Sequence, residues 1–395
     1  MLSTGFAMFD RFAVPNLSNF IMEDIEMTSA QLGQTMAVFA LAWAFSGYIG
    51  SIFSDLTSNK KRLLGFMVLL SSVFSFSTGL ATSFTMLLIV RFIMGLFEGP
   101  IFPLTQTFSI AQSTVNRRGL NTGLITTTSM GVIANLIGPV LLVALCQAFG
   151  WRITFFFTII SGLMIAWLIF KNLKEPDMTK IPGATAKDEK PTFRESLVVL
   201  KNRNVRISMI ISIFVIIWNV GILTYAPYYL VAFKGFTDEV MSYIMAVFGA
   251  GAVVWGIIVP AFSDRYGRKP AVIVFTLISV ISPLGLMLFE APFIIGVCAF
   301  LGWTGSGVFA LFQATITGES VDTKYASTAI ASVQVTGEIG GAVIGVMIAG
   351  ILADMYGLNA AFIFAAVCVV IATLTAFAYY ETAPAILAKR NLSKT

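Results

Sequence analysis

The chain alternates long apolar stretches with short polar ones. Apolar runs of helix length cover about 2–22, 31–54, 63–81, 85–109, 119–146, 153–171, 206–232, 240–263, 271–289, 293–317, 327–353 and 360–381. A membrane-spanning helix takes about 20 apolar residues, and the strands of a barrel would alternate rather than run apolar. The pattern therefore predicts an all-α integral membrane protein with twelve transmembrane helices. The first run starts at residue 2, with no basic stretch before it and a charged pair inside, so no cleaved signal peptide is expected. One long polar stretch, 172–205, divides six runs from six. Within it Pro191, Thr192 and Glu195 read as a helix start with a capping box. Ser196 to Arg203 then alternates apolar and basic residues, as a short amphipathic helix on a membrane surface does. The expected organisation is an N-terminal bundle over 1–171, a cytoplasmic linker over 172–205, a C-terminal bundle over 206–381 and a cytoplasmic tail over 382–395.

Composition narrows the chemistry. Only 11% of the 395 residues are charged and 57% are hydrophobic, against about 25% charged in an average soluble domain. There is no histidine, which excludes imidazole general bases and His-ligated metals. Cys146, Cys298 and Cys368 are far apart, each in an apolar run, and make no disulfide framework. No Gly-Lys dipeptide occurs, so there is no phosphate-binding P-loop to couple ATP hydrolysis. No metal, no cofactor and no nucleic-acid partner are expected, and without histidine, metal ligands or an activated nucleophile the chain is not read as an enzyme.

Twenty-one of the 25 Lys and Arg residues lie in loops or flanks on one side of the predicted helices, Arg152 and Lys234 lie on the other, and Arg11 and Arg91 are inside helices. The positive-inside bias then places both termini in the cytoplasm of a multi-pass inner (plasma) membrane protein, expected to be a monomer.

The halves repeat. Phe149-Gly150-Trp151 through Phe157 corresponds to Tyr356-Gly357-Leu358 through Phe364, 207 residues on, and Ser54-Asp55 with Lys60 corresponds to Ser263-Asp264 with Lys269, 209 residues on. A duplicated six-helix unit is expected to hold a substrate at the midplane between its halves.

Ionisable residues inside a membrane are costly and mark function. Asp10 and Arg11 fall in the first run, and Arg91 and Glu98 in the fourth. The latter two are seven residues apart and return to one helix face, about 10 Å apart along the axis, too far to pair directly. Asp10 with Arg91, or Arg11 with Glu98, are both open as cross-helix partners. Gly95 and Gly99 share that face and leave room for a neighbouring helix or a substrate. In the second half Glu338 is the intramembrane acid, with Gln334 one turn before it and Gly337, Gly340, Gly341 and Gly345 on the same helix. Asn135, Asn219, Tyr225 and Trp303 are further polar or aromatic candidates for a substrate cavity, whereas Glu290 and Glu319 fall at helix ends and are read as solvated.

The loop Asp264-Arg265-Tyr266-Gly267-Arg268-Lys269 resembles the inter-helix motif Gly-x-x-x-Asp-Arg-x-Gly-Arg-Arg of the major facilitator superfamily. The first-half copy, Gly50 to Arg62, keeps Asp55 and the basic cluster but lacks the Arg-x-Gly core. The resemblance covers nearly the whole chain and implies two pseudo-symmetric six-helix bundles, with Asp55, Asp264, Arg265 and Arg268 as gating residues. The string from Arg91 through Gly95, Glu98 and Gly99 to Pro103, together with Asp10-Arg11, Arg118-Gly119 and Gly150-Trp151-Arg152, is similar to the anion:cation symporter branch, which includes sugar-acid and organic-acid proton symporters and sialin-like carriers.

That branch implies proton-coupled uptake of a small organic anion. Asp10 and Glu98 would be the proton-coupling carboxylates, and Arg11 and Arg91 their charge partners or the ligands of the substrate carboxylate. A desolvated carboxylate that shares an arginine with a substrate anion takes up a proton when the substrate claims the arginine. Glu338 is outside the branch pattern and is a candidate second proton site. The alternative is a drug/proton antiporter of the same fold. Its helix 5 signature ends Gly-Pro-x-x-Gly-Gly, where this chain reads Gly138-Pro139-Val140-Leu141-Leu142-Val143.

Overall fold

The computed structural model of the chain describes residues 2–56, 59–113, 130–175, 197–322, 325–383 and 386–387. Among the described residues every regular element is a helix, and ten segments are long and apolar enough to cross a membrane. Large apolar side chains stand outward along these helices, Phe293 at 81% and Leu288 at 67% exposure among them. Such a surface suits lipid and not water.

The first predicted run, 2–22, is two helices. α1 (Leu2–Asn16) carries Asp10, Arg11 and Pro15, and α2 (Ser18–Ile25) follows the break at Leu17. α1 has 15 residues and is not among the ten segments. The rest of the first half comprises α3 (Ser29–Leu56), α4 (Lys60–Thr78), α5 (Phe84–Glu98), α6 (Ile101–Gln112), α7 (Gly138–Phe149, entered from a π-helical stretch Met130–Ile137) and α8 (Trp151–Asn172). The fourth predicted run is thus α5 and α6, divided at Gly99-Pro100, where the proline N cannot donate. The second half holds α9 (Arg203–Tyr228), α10 (Asp238–Tyr266), α11 (Arg268–Ile278), α12 (Ile281–Leu288), α13 (Pro292–Gly302), α14 (Gly305–Ala310), α15 (Ile316–Glu319), α16 (Ala326–Gly337), α17 (Val346–Tyr356) and α18 (Asn359–Ala376).

The chain forms two compact units: Met1–Asp188 with Pro227–Gly249, and Glu189–Ala226 with Ala250–Thr395. In the first, α3 lies close along α5 because Gly95 and Gly99 present no side chain. A Cβ on Gly99 would stand 2.3 Å from the Trp43 carbonyl oxygen, and one on Gly95 would stand 2.7 Å from that of Phe39. The Ser46 hydroxyl crosses the seam to donate to the Gly95 carbonyl at 3.1 Å. The stretch Pro227–Gly249 joins this unit through Asn19, which donates to Asp238 at 3.3 Å, and Gln147, which donates to Glu239. In the second unit Gly337, Gly341 and Gly345 let their helix close onto Ser212, Ile216 and Ile217 of α9.

The internal repeat is visible in the backbone. Gly150 ends α7 at φ 82°, ψ 158°, and Gly357 ends α17 at φ 87°, ψ 160°, a left-handed region that only glycine enters cheaply. A second correspondence was not anticipated from sequence. Glu175, just after α8, accepts the Lys60 and Lys61 N–H groups and so caps α4. Glu381, after α18, accepts the Arg268 N–H at 2.8 Å and the Lys269 N–H at 3.2 Å and so caps α11. Each carboxylate satisfies N–H groups that the helix itself leaves unpaired. Replacing Glu381 with Ala is expected to cost about 1–2 kcal/mol, read as a lower Tm of the purified protein, whereas Glu381→Gln should recover part of the loss through its amide oxygen.

Candidate functional site

Asp10, Arg11, Arg91 and Glu98 come together in the first unit, at 0%, 4%, 0% and 1% exposure. All four are close enough to interact electrostatically. Neither of the cross-helix pairs expected from sequence forms as a carboxylate–guanidinium hydrogen bond. Arg91 instead spans α1 with its fork: Nη1 donates to the Asp10 carbonyl at 3.1 Å and Nη2 to the Arg11 carbonyl at 2.8 Å.

The reason lies four residues further along α1. In an α-helix the Arg11 carbonyl would accept from the N–H of residue 15, but residue 15 is proline and has none. The guanidinium of Arg91 takes the vacant place. Pro15 and Arg91 thus form one device, in which a helix opened by proline is closed by a cation from another helix, as membrane bundles permit. Pro15 was missed in the sequence reading; a proline four positions after an intramembrane arginine was the available signal.

The guanidinium groups rest on aromatic rings from α3. The Arg91 Cζ lies 4.6 Å from the Phe39 centroid, and that of Arg11 lies 5.7 Å from Phe39 and 5.5 Å from Trp43, within cation–π range. Phe39 and Trp43 are also missed site residues, because nothing in an apolar run distinguishes a ring under a cation from one in a core. Met94 adds its sulfur 3.5 Å from Arg91 Nη1. Ser75 of α4 faces Asp10 without meeting hydrogen-bond geometry.

The carboxylates are treated differently from the arginines. None of the Asp10 Oδ or Glu98 Oε atoms has a hydrogen-bond partner among the described residues. A buried ionised carboxylate without donors is expensive, at several kcal/mol, and two of them near each other compound the cost. Chemically, such a cluster can bind a proton, and it can bind an anion that shares the arginines.

The other sequence candidates are placed as follows. Asn135 is half-buried in the Met130–Ile137 stretch of the first unit. In the second unit Asn219, Gln334 and Glu338 are half-buried, and Glu338 begins the π-helical stretch Glu338–Gly345. The Tyr225 hydroxyl donates to the Val346 carbonyl at 2.8 Å. Trp303 is buried with its ring 4.6 Å from that of Trp218, whose Nε1 donates to Ser282 at 3.0 Å. The side chain of Asp55, together with Arg118-Gly119 and most of the linker, lies outside the described residues.

The segment from Asp264 to Lys269 ties the end of α10 and the start of α11 to α15 through Arg268. Arg268 donates to Asp264, to the Ser263 hydroxyl at 2.7 Å and to Glu319 at 3.0 Å. Arg265 lies over the Tyr266 ring at 5.5 Å. Glu319 is not the solvated helix end expected from sequence: it pairs with Arg268 and accepts from the Thr382 hydroxyl at 2.7 Å. Residue 319 is distant in sequence from both partners, so only packing brings it there.

The model of the Major Facilitator Superfamily matches residues 1–343. Among curated relatives, the hexuronate transporter of Bacillus subtilis (strain 168) is 29% identical over 60% of this chain, and the match covers 56% of that relative's length. The sialic acid transporter NanX of Escherichia coli (strain K12) is 25% identical over 77% of this chain and 74% of its own length. Among solved structures, a bacterial homologue of the human lysosomal transporter Spinster superposes with a TM-score of 0.80 over 95% of this chain and 94% of its own, at 17% identity, and shows the fold. The family and these relatives are transporters, not enzymes. The chain belongs to the Major Facilitator Superfamily and is a multi-pass membrane transporter.

Proposed function

We propose that this transporter is a proton-coupled symporter that takes up a small organic anion, a sugar acid or related carboxylate, across the inner membrane by alternating access. The observation that carries the reading is the pair of buried carboxylates, Asp10 and Glu98, with no hydrogen bond to any oxygen among the described residues and two arginines beside them. The names of the hexuronate and sialic acid relatives support the substrate class.

In this scheme Asp10 and Glu98 carry the proton. Arg91 has both terminal nitrogens on backbone carbonyls, so it acts as a positioning residue, and Arg11 meets the substrate carboxylate. An arriving anion draws the positive field of Arg11 toward itself, and a proton on Glu98 or Asp10 restores neutrality in the low-dielectric cluster. Anion and proton therefore bind together and cross as a neutral pair. In the first unit Asn135 is a proposed contact for hydroxyl or amide groups of the substrate; in the second unit Asn219, Tyr225, Trp303 and Gln334 are proposed substrate-binding residues and Glu338 a proposed second proton site. Asp55, Asp264, Arg265 and Arg268 gate the path.

The test uses protein reconstituted in liposomes with a trapped pH dye and no imposed gradient. Adding hexuronates, sialic acid or other organic acids outside should acidify the lumen for one class of compound. Alkalinisation on adding lipophilic cations would instead establish antiport and overturn the proposal.

A further inference from the structure

The repeat that caps α4 and α11 in the same way is not symmetric in charge. Beside Glu175 the chain carries Lys61, Arg62, Lys171 and Lys174, which together with Phe170 line a cavity of about 610 Å³. With the two caps aligned, so that Lys61 falls on Lys269, the corresponding places of the second copy, beside Glu381, hold Lys269, Pro270, Phe377 and Tyr380. Lys269 there is spent on the Phe377 carbonyl, at 2.7 Å. The cap is complete in both copies, so it does not require the three extra cations of the first.

Among the described residues Glu175 is the one acid lining the cavity, and both its oxygens already accept backbone N–H groups. Among the described residues the cavity thus sets four cations against a single carboxylate. It also borders the lipid-facing surface. Phe170 and Phe66 meet edge to face with centroids 5.9 Å apart, both exposed, and Trp167, 56% exposed, lies 4.5 Å beneath the Lys171 ammonium. Aromatic rings below and cations above are the arrangement that holds an amphiphile at a membrane interface.

We infer that this cavity binds a phosphate-bearing anion, presented as the headgroup of an anionic lipid. The phosphodiester sits among Lys61, Arg62, Lys171 and Lys174, and the acyl chains run along Phe66 and Trp167. The site is separate from the buried charge cluster and does not depend on the transported substrate.

Native mass spectrometry of the purified protein, with phosphatidylglycerol or phosphatidylcholine added, tests it. The wild type should retain phosphatidylglycerol preferentially, and the preference should weaken with salt. The variant Lys171→Phe/Lys174→Tyr, which installs the residues of the second copy, should lose roughly 30-fold in phosphatidylglycerol affinity, with phosphatidylcholine unchanged. Its Tm in phosphatidylcholine reports folding; should it fail to fold, the exposed single change Arg62→Gln serves instead, with roughly a five-fold loss expected. A lipid preference that survives these changes in folded protein overturns the site. Displacement of phosphatidylglycerol by low millimolar inorganic phosphate would assign the cavity to the free anion and overturn the lipid.

Discussion

Glu98→Gln is expected to abolish concentrative uptake while leaving exchange of substrate across the membrane intact. If one proton crosses with one monoanion, the transported pair is neutral and the pH gradient alone drives accumulation. One pH unit is worth about 1.4 kcal/mol, or about ten-fold in concentration. Wild-type proteoliposomes held one unit more acidic outside should therefore accumulate substrate roughly ten-fold, and Glu98→Gln should hold it near equality. Counterflow of labelled against unlabelled substrate needs no net proton movement and should persist. Asp10→Asn separates the two carboxylates: whichever variant loses accumulation but keeps counterflow marks the proton site. Retention of ten-fold accumulation in both would move the proton to Glu338 or remove coupling from this cluster altogether.

Arg91→Lys should be nearly as damaging as Arg91→Ala, although it keeps the charge. A lysine ammonium is a point donor and cannot span the Asp10 and Arg11 carbonyls as the planar fork does. Arg91→Ala removes both bonds to the α1 carbonyls and a cation beside two buried carboxylates, a loss of about 3–5 kcal/mol for a broken buried charge interaction. Transport in both variants should drop at least about 100-fold, and thermal unfolding should show the larger destabilisation for Ala. The role assigned to Pro15 gives a sharper check. Pro15→Ala restores an N–H four residues after Arg11, which can satisfy that carbonyl from within α1. It should therefore soften the stability defect of Arg91→Lys by about 1 kcal/mol in a double-mutant cycle. Strict additivity would show that Arg91 does not act through the vacancy left by proline.

The contact between Arg91 and the carbonyls of α1 is not legible in the sequence. The sequence shows Arg91 in an apolar run and Pro15 in another, with nothing to connect them. A hydrogen bond between residues separated by 80 positions exists only once α5 lies against α1. Opposite charges suggest carboxylate partners for the arginines, whereas the fork of Arg91 goes to carbonyls and the Asp10 and Glu98 oxygens have no donors among the described residues. The same limit explains Glu319. Its place at a helix end suggested water, and only the packing of the second unit brings Arg268 and Thr382 to it. Gly95 and Gly99 are the opposite case: small residues on one face leave room for a neighbouring helix or a substrate, and α3 takes that room.

What the sequence determined by itself is local or additive. Length and hydropathy of each run decide that it is a helix in lipid, because backbone groups there must pair within the segment. The duplicated loops reveal two related halves, down to the glycines that end α7 and α17 at positive φ. The rarity of charge inside the membrane singled out Asp10, Arg11, Arg91 and Glu98. Tertiary structure decided which atoms of those residues meet. It set Arg91 on the carbonyls that Pro15 left open, laid both guanidinium groups over Phe39, and gave Glu175 and Glu381 to helices far away in the chain. Partner choice depends on distances of a few ångströms between helices, and those distances are a property of the whole packed bundle rather than of any segment in it.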